Sequence, residues 1–338
     1  MIRILVSALV LLCAAATAAA DPPGAPWISE YETGHPLAGR IWQPAAARFV
    51  APEAVAAALT AARFVLLGEK HDNADHHRIQ AWLVAEIFAA GRRPAIAFEM
   101  FASNQQAALD AHLAARPRDA AGIGAALGWA ETGWPDWALY QPIAQAALDG
   151  GAALLAADLP RALRRRLARD GVSALGAQRV AALGLDRPLS KDLAGNLRQE
   201  IVESHCGQLP ESMIGPMATV MTARDAQMAE ALRRGAALAG HDGALLIAGK
   251  GHTRNDRGVP LHLRRADAAA VIVSLGLFEV AEGAREPADY AAFLGTAVLP
   301  FDFVWFTPIA DPENPCVKFA EQLKQARDRH ENDTEELE

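Results

Sequence analysis

The stretch VLLGEKHDNADHH, residues 65–77, places Glu69, Lys70, His71, Asp72, Asn73, Asp75, His76 and His77 directly after an apolar run. A carboxylate beside an imidazole can take a proton from water while the imidazole polarises a substrate or acts as the acid. Later stretches carry comparable groups: Glu99 in PAIAFEM, Asp158 at the end of AALLAAD, and Lys250 with His252 in ALLIAGKGH. Glu69, His71, Glu99 and His252 thus form the candidate catalytic set. They admit two chemistries. In a hydrolase, Glu69 or Glu99 is the base and His71 or His252 the acid or electrophile, with burial and a nearby lysine setting their pKa values in opposite directions. In a divalent-metal site the same four act as ligands, of a kind suited to zinc or manganese. Structural roles stay open beside these. Asp72, Asn73 or Asp75 can cap a helix. His76 and His77 open that helix, one of them expected to face solvent, with His76 and Gln80 as an ordinary i, i+4 pair. Glu99 can simply pair with a basic residue.

Several familiar sites are absent from the sequence. It contains no H-E-x-x-H zinc helix and no G-x-S-x-G nucleophile turn. GALLIAGKG lacks the Walker spacing and the final Ser or Thr, GIGAALG at 122–128 follows no strand, and C-x-x-C-H does not occur.

The elements that must position these groups are legible as runs. Non-alternating apolar segments at 63–69, 94–100, 152–158, 244–251, 269–276 and 301–307 alternate with helical periodicity. Such runs are strands buried on both faces, which predicts an α/β fold with a largely parallel sheet flanked by helices. Between the first two, Ile79, Leu83 and Ile87 recur at helical spacing with Trp82 beside them, and Gly91 closes the helix. Ligands of an open parallel sheet bind beyond the carboxyl ends of its strands, so Glu69, His71, Glu99, Asp158 and His252 are expected on one edge. The glycines of GKGH let backbone approach a ligand there. Helical stretches near 103–147 and 161–240, the second containing the basic RALRRRLAR, read as insertions or a smaller helical lid.

Residues 1–20 have one arginine, an apolar centre and an Ala18-Ala19-Ala20 end, the pattern of a secretory signal peptide. A single α/β domain is expected over 21–326, with a charged tail at 327–338. The protein is therefore expected in the periplasm or secreted. Leu12 before Cys13 is a poor lipidation context, so no lipid anchor is expected, and no later stretch reaches about 18 consecutive apolar residues. Export leaves Cys206 and Cys316, which are expected to form a disulfide. A net charge of −8 and a pI near 5.7 argue against nucleic acid as a partner.

With these residues together, the chain resembles the ChaN-like family of haem-binding proteins. The matching stretches are LLGEKHDNADHHRIQ, AFEMF followed by NQQ, WALYQPI, AADLPR, HCGQLP leading into MATVMTARDAQMA, IAGKGHTRNDRGVP, and VWFTP with DPENPC. The resemblance implies an α/β core with a smaller helical part, haem as cofactor, and a homodimer in which two haems stack face to face. It implies a role in haem or iron uptake. It also implies an axial tyrosine, for which the chain offers Tyr31, Tyr140 and Tyr290, Tyr140 lying inside a matching stretch. The broader fold group includes erythromycin-esterase-like hydrolases with a G-E-x-x-H element, one residue longer than Gly68-Glu69-Lys70-His71 here. Haem asks for an apolar slot, an axial ligand and partners for its propionates. His205, Tyr140, Met217 and Met221, with Met213 nearby, are the candidate haem contacts. They are expected on the helical insertion, apart from the acids of the core.

Overall fold

The computed structural model describes residues 22–321, 323 and 324; the expected signal peptide at 1–20 and the tail at 327–338 lie outside the described residues. Among the described residues no helix is long and apolar enough to cross a membrane.

A short hairpin, β1 (Ile41–Gln43) and β2 (Arg48–Val50), leads through α1 (Pro52–Ala61) into β3 (Phe64–Glu69) and α2 (Ala74–Ala89). β4 (Pro94–Ala102) is followed by α3 (Gln106–Ala115), α4 (Ala120–Ala126) and α5 (Trp137–Asp149), and β5 (Leu154–Asp158) by α6 (Arg161–Asp170), α7 (Ala177–Ala182), α8 (Lys191–Ser204) and α9 (Glu211–Gly235). β6 (Gly243–Gly249), α10 (Val259–Ala266), β7 (Ile272–Glu279), α11 (Pro287–Phe293) and β8 (Phe303–Thr307) complete the chain order. The eight strands form one sheet in the order β2-β1-β8-β7-β3-β6-β4-β5. The pairs from β8 across to β5 are all parallel, and only β1 is antiparallel to its two neighbours. All six predicted strands are therefore present in a largely parallel sheet. The hairpin was not predicted, because three-residue strands carry too little periodicity to register.

The period of two along each strand divides the core. Val65 and Leu67 of β3 turn to one face, where α1, α2 and the 103–147 helices bury Ile79, Leu83, Ile87, Leu109, Ile123, Tyr140 and Ile143. Each large apolar side chain buried there contributes about 1.5–3 kcal/mol before entropy is counted. Phe64 and Leu66 turn to the other face, against Met228, Ala229 and Leu232 of α9 and Val259 and Leu263 of α10. The two helical stretches thus differ. The 103–147 stretch completes the main core. Of the 161–240 stretch, only the second half of α9 covers the sheet; α6, α7, α8 and the start of α9 form two small clusters of their own, around Leu167 and Leu183 and around Leu197, Ile201 and Ile214.

Cys206, just past α8, is disulfide-bonded to Cys316 near the end of the described chain, with Cα atoms 5.6 Å apart. The α8–α9 turn is thereby tied to a segment 110 residues away. Nearby, Glu200 of α8 pairs with Arg254 and Arg257, both buried in the loop after β6. Two attachments therefore hold α8 over the sheet edge.

Candidate functional site

Parallel register brings the polar strand ends level: Glu69 of β3 lies opposite Gly249 of β6, and Glu279 of β7 opposite Thr307 of β8. The register between β4 and β5 shifts after Phe98 and resumes at the Ala102–Asp158 pair, so Glu99 sits in the irregular stretch where a side chain can be re-aimed. Gly68 and Gly249 make the crowding possible. A Cβ on Gly68 would lie 2.2 Å from Thr253 Oγ1, and one on Gly249 would lie 2.9 Å from His71 Nε2. The Gly249 gap therefore receives a histidine ring.

Glu69 is fully buried and is approached from three sides. His71 Nδ1 is 2.9 Å from Oε1, the Tyr140 hydroxyl donates to Oε1 at 2.8 Å, and His77 Nδ1 is 3.2 Å from Oε2. Burial opposes its charge, but His77 and His71 outweigh burial and hold Glu69 well below the usual carboxylate range. His77 Nε2 donates to the His71 carbonyl at 2.9 Å. Burial lowers the His77 pKa and Glu69 more than restores it, leaving the imidazolium favoured. The Tyr140 phenol is pushed up by burial and by Glu69, so it stays protonated as a donor.

Glu99 anchors the second half. Its Oε2 accepts from the Gly249 amide at 2.7 Å, while Oε1 takes Arg224 at 2.6 Å and lies 3.3 Å from His252 Nε2. Arg224 also grips both oxygens of Asp158, which Arg164 reaches at 3.0 Å. His252 Nδ1 is 2.5 Å from Asp225. Burial pushes His252 down, but Glu99 and Asp225 dominate and raise it to about 9. Glu99 is correspondingly held low, burial being outweighed by His252 and Arg224. Among the described residues no group of three or more His, Cys, Asp or Glu side chains is arranged to hold a metal ion. Arg224, rather than a cation from solution, bridges Glu99 and Asp158.

His71 links this network to open space. Its side chain is 32% exposed, Nδ1 faces Glu69, Nε2 is 4.0 Å from Glu99, and its ring packs edge-on to Trp134 at 4.8 Å. The interaction with Glu69 and the charge of Glu99 overcome burial and raise its pKa. His71, Gly249, Gly251 and His252 form one wall of a cavity of about 570 Å³. The other walls come from α6, α8 and α9, including Ile201, His205, Met217, Val220 and Met221. His205 Nδ1 donates to the Ile201 carbonyl at 2.7 Å, which fixes the tautomer and leaves the Nε2 lone pair available. Its ring also packs on Phe319.

Several sequence expectations are corrected by this placement. Glu69, His71, Glu99 and His252 converge as expected of the strand ends, but the haem candidates are not apart from them: His205, Met217 and Met221 line the same cavity as His71 and His252. The reason is that α8 and α9 lean over the carboxyl edge. Tyr140 belongs with Glu69 behind His71 and does not line this cavity. Met213 is exposed. Neither His76 nor His77 faces solvent. His76 accepts from the Lys70 amide and donates to Thr307, and burial pushes its pKa well down. Asn73 is the cap of α2, accepting from the His76 amide, whereas Asp75 receives the amides of Ile28 and Ser29. Arg224 and Asp225 were missed as site residues. Their signal was present: Met221, Arg224, Asp225, Met228 and Leu232 lie on one helical face, and charges on an apolar stripe call for buried partners.

The fold is similar to that of ChaN of Campylobacter jejuni, a structure described as cofacial heme binding, with a TM-score of 0.59 and 22% identity over 78% of this chain and 95% of that one. A weaker likeness, TM-score 0.46 and 13% identity over 78% of this chain and 95% of the other, is to a mutant of the erythromycin esterase EreC in its open conformation. No curated protein matches the chain by sequence. The family profile described as haem-binding uptake, Tiki superfamily, ChaN matches residues 55–263, a span that runs from α1 to α10 and takes in the sheet-edge network and the cavity. The chain belongs to that family.

Proposed function

We propose that this protein binds haem in the cavity between the sheet edge and helices α6, α8 and α9. The observation that carries the reading is His205: its Nδ1–H is committed to a backbone carbonyl, its Nε2 is left as an acceptor, and the residue lines a slot with Ile201, Met217, Val220 and Met221. A volume of about 570 Å³ falls within the ~300–1,000 Å³ of small-molecule and cofactor sites. His205, Ile201, Met217, Val220 and Met221 would hold the haem, which would supply an iron able to take a nitrogen ligand from the protein. The apolar side chains exclude water from the macrocycle, and the paired network beneath holds the floor in place.

The reading extends to haem or iron uptake outside the cytoplasm and to pairing of two copies around their haems. The Cys206–Cys316 disulfide supports an oxidising compartment. Titrating haem into the purified protein, with absorbance and size followed together, tests both parts. Expected are a saturable Soret shift and a change from monomer to dimer. A linear, unsaturable absorbance rise would overturn the haem reading; saturation without a size change would overturn only the pairing.

A second reading, hydrolysis of an ester, is favoured by one feature. His71 is an imidazole oriented by a buried carboxylate and facing the cavity. Ester turnover by the haem-free protein that disappears in His71→Ala would support it, and no turnover across a panel of esters would remove it. A metal-dependent variant would show as activity restored by zinc or manganese after chelation.

A further inference from the structure

A second cavity lies further along α9, between that helix, α10 and the end of α7, and shares no lining residue with the cavity proposed for haem. Its polar lining is Arg187, Glu230, Arg233, His262 and Arg265, three arginines against one carboxylate in a chain of net charge −8. Arg233 is paired with Glu230 at 3.0 Å, whereas among the described residues Arg187 and Arg265 have no ion pair. Arg265 donates only to the carbonyls of Arg187 and Pro188, at 2.7 and 3.0 Å. Burial and the charge of Arg187 both lower the Arg265 pKa, so the two guanidinium groups oppose each other. Arg187 is folded back over Gly184, whose φ of 65° is left-handed and where a Cβ would lie 3.2 Å from Arg187 Nη2. His262 is 6% exposed, and its Nδ1 is buried without a hydrogen-bond partner. Burial lowers its pKa, Asp225 opposes this, and Arg265 and Arg187 add to it. Asp225 is already held by His252 at 2.5 Å. Two unpaired cations and an unsatisfied buried imidazole therefore meet around one space, at a cost to the free protein that an anion would relieve.

We infer that Arg187, Arg265 and His262 form a binding site for a phosphate-type dianion, either inorganic phosphate or a phosphate monoester. The volume of about 230 Å³ lies below the ~300–1,000 Å³ of cofactor sites, so the guest is small. Two charges are left unbalanced, which matches a dianion. Guanidinium forks meet phosphate oxygens through paired hydrogen bonds, and an imidazole supplies a further N–H in either tautomer. The inference is independent of the haem reading, since it uses no residue of that cavity.

The test titrates inorganic phosphate and glycerol 3-phosphate into the haem-free, full-length protein by calorimetry, with the melting temperature followed alongside. Saturable binding is expected, with a rise in melting temperature that saturates at the same concentrations. Tighter binding of the monoester would support the site and name an organic phosphate as its guest; tighter binding of the free ion would support it and name inorganic phosphate. Arg187→Gln changes an exposed residue with no ion pair, so it should fold normally and weaken binding by about tenfold or more, the effect of a charge-assisted hydrogen bond. Arg48→Gln, an exposed arginine of β2, removes the same charge elsewhere and should leave binding unchanged. His262→Phe keeps a ring and removes its nitrogens, and should lose most of the phosphate-dependent rise in melting temperature. No saturable binding would overturn the inference. Equal losses in Arg187→Gln and Arg48→Gln, which would reduce the effect to general charge attraction, or full affinity in His262→Phe, would overturn it as well.

Discussion

The two walls of the cavity are built on opposite terms. Along the sheet edge Glu69, Glu99, Asp158 and His252 are buried, and each charge has at least one partner of opposite sign within 3.3 Å. Along α6 and just past α8, Arg161, Arg165 and His205 line the cavity and, among the described residues, have no ion pair, beside methionines that adapt readily to a guest. A network whose charges are already paired has little left to offer a ligand, and removing any member strands the rest. An unsaturated wall contributes little to folding and has everything to gain from binding. Stability and ligand affinity should therefore be separable by mutation, even though the two walls enclose one space.

The largest effect is expected at Arg224. Arg224→Met removes the cation shared by Glu99 and Asp158 and leaves two buried carboxylates under-compensated, which should cost about 3–5 kcal/mol of stability. Urea denaturation monitored by tryptophan fluorescence measures this; a loss below about 1 kcal/mol would mean that the network is solvated and that the contrast between the walls is false.

Next comes the disulfide. Cys316→Ser frees the α8–α9 turn and should cost about 2–4 kcal/mol. Because His205 directly precedes Cys206, haem affinity should fall in the same variant, which makes this turn the one place where the two properties are coupled. Thiol titration under denaturing conditions checks the starting point: the wild type should show no free thiol from this pair until it is reduced.

Smaller again is the pH dependence. His252 is raised to about 9 in the fold, so its contribution is fully present below about pH 6.5, its unfolded value, and is lost as pH rises through about 9. Glu69 and Glu99 are depressed, so theirs is present above their ordinary values and is lost in acid. Stability should thus be greatest between about pH 5 and 6.5 and fall by roughly 2–3 kcal/mol towards pH 9. His252→Gln should flatten the alkaline limb; an unchanged limb would assign it to another group.

How much of this was legible in the sequence follows from the same contrast. The six long strands could be read because both faces of each are buried, leaving an uninterrupted apolar signature, and the strand-end residues followed from the topology of a parallel sheet. What could not be read was contact between distant helices. Arg224 looked like an ordinary helix charge until its stripe was compared with Met221 and Met228, and α8 gave no sign that it leans over the edge, because Glu200, Arg254 and Arg257 announce a partner without naming it. The expected distance of His205, Met217 and Met221 from His71 and His252 was not met for that reason: location was assigned by segment, whereas the cavity is made by two segments meeting, with Glu69 and Glu99 behind its wall.

The smallest effect on folding is expected where the effect on binding should be large. His205 is half-buried just past α8, packs on Phe319, and gives the fold one side-chain hydrogen bond to Ile201 and one contact with Ser204. His205→Ala should therefore change stability by no more than about 1 kcal/mol, the net worth of such a bond near the surface. Haem affinity should fall at least tenfold, the equivalent of about 1.4 kcal/mol. Glu99→Gln should do the reverse. It removes the charge that Arg224 and His252 share, so stability falls, while the wall formed by α6, α8 and α9 keeps its shape in the fraction that remains folded. Measuring both properties on both variants gives four numbers, and the claim is about their pattern. If Glu99→Gln weakens haem at temperatures where it is fully folded, the carboxylate reaches the ligand through His71, whose Nε2 lies 4.0 Å away, and the two walls act as one site rather than as a scaffold and a binding surface.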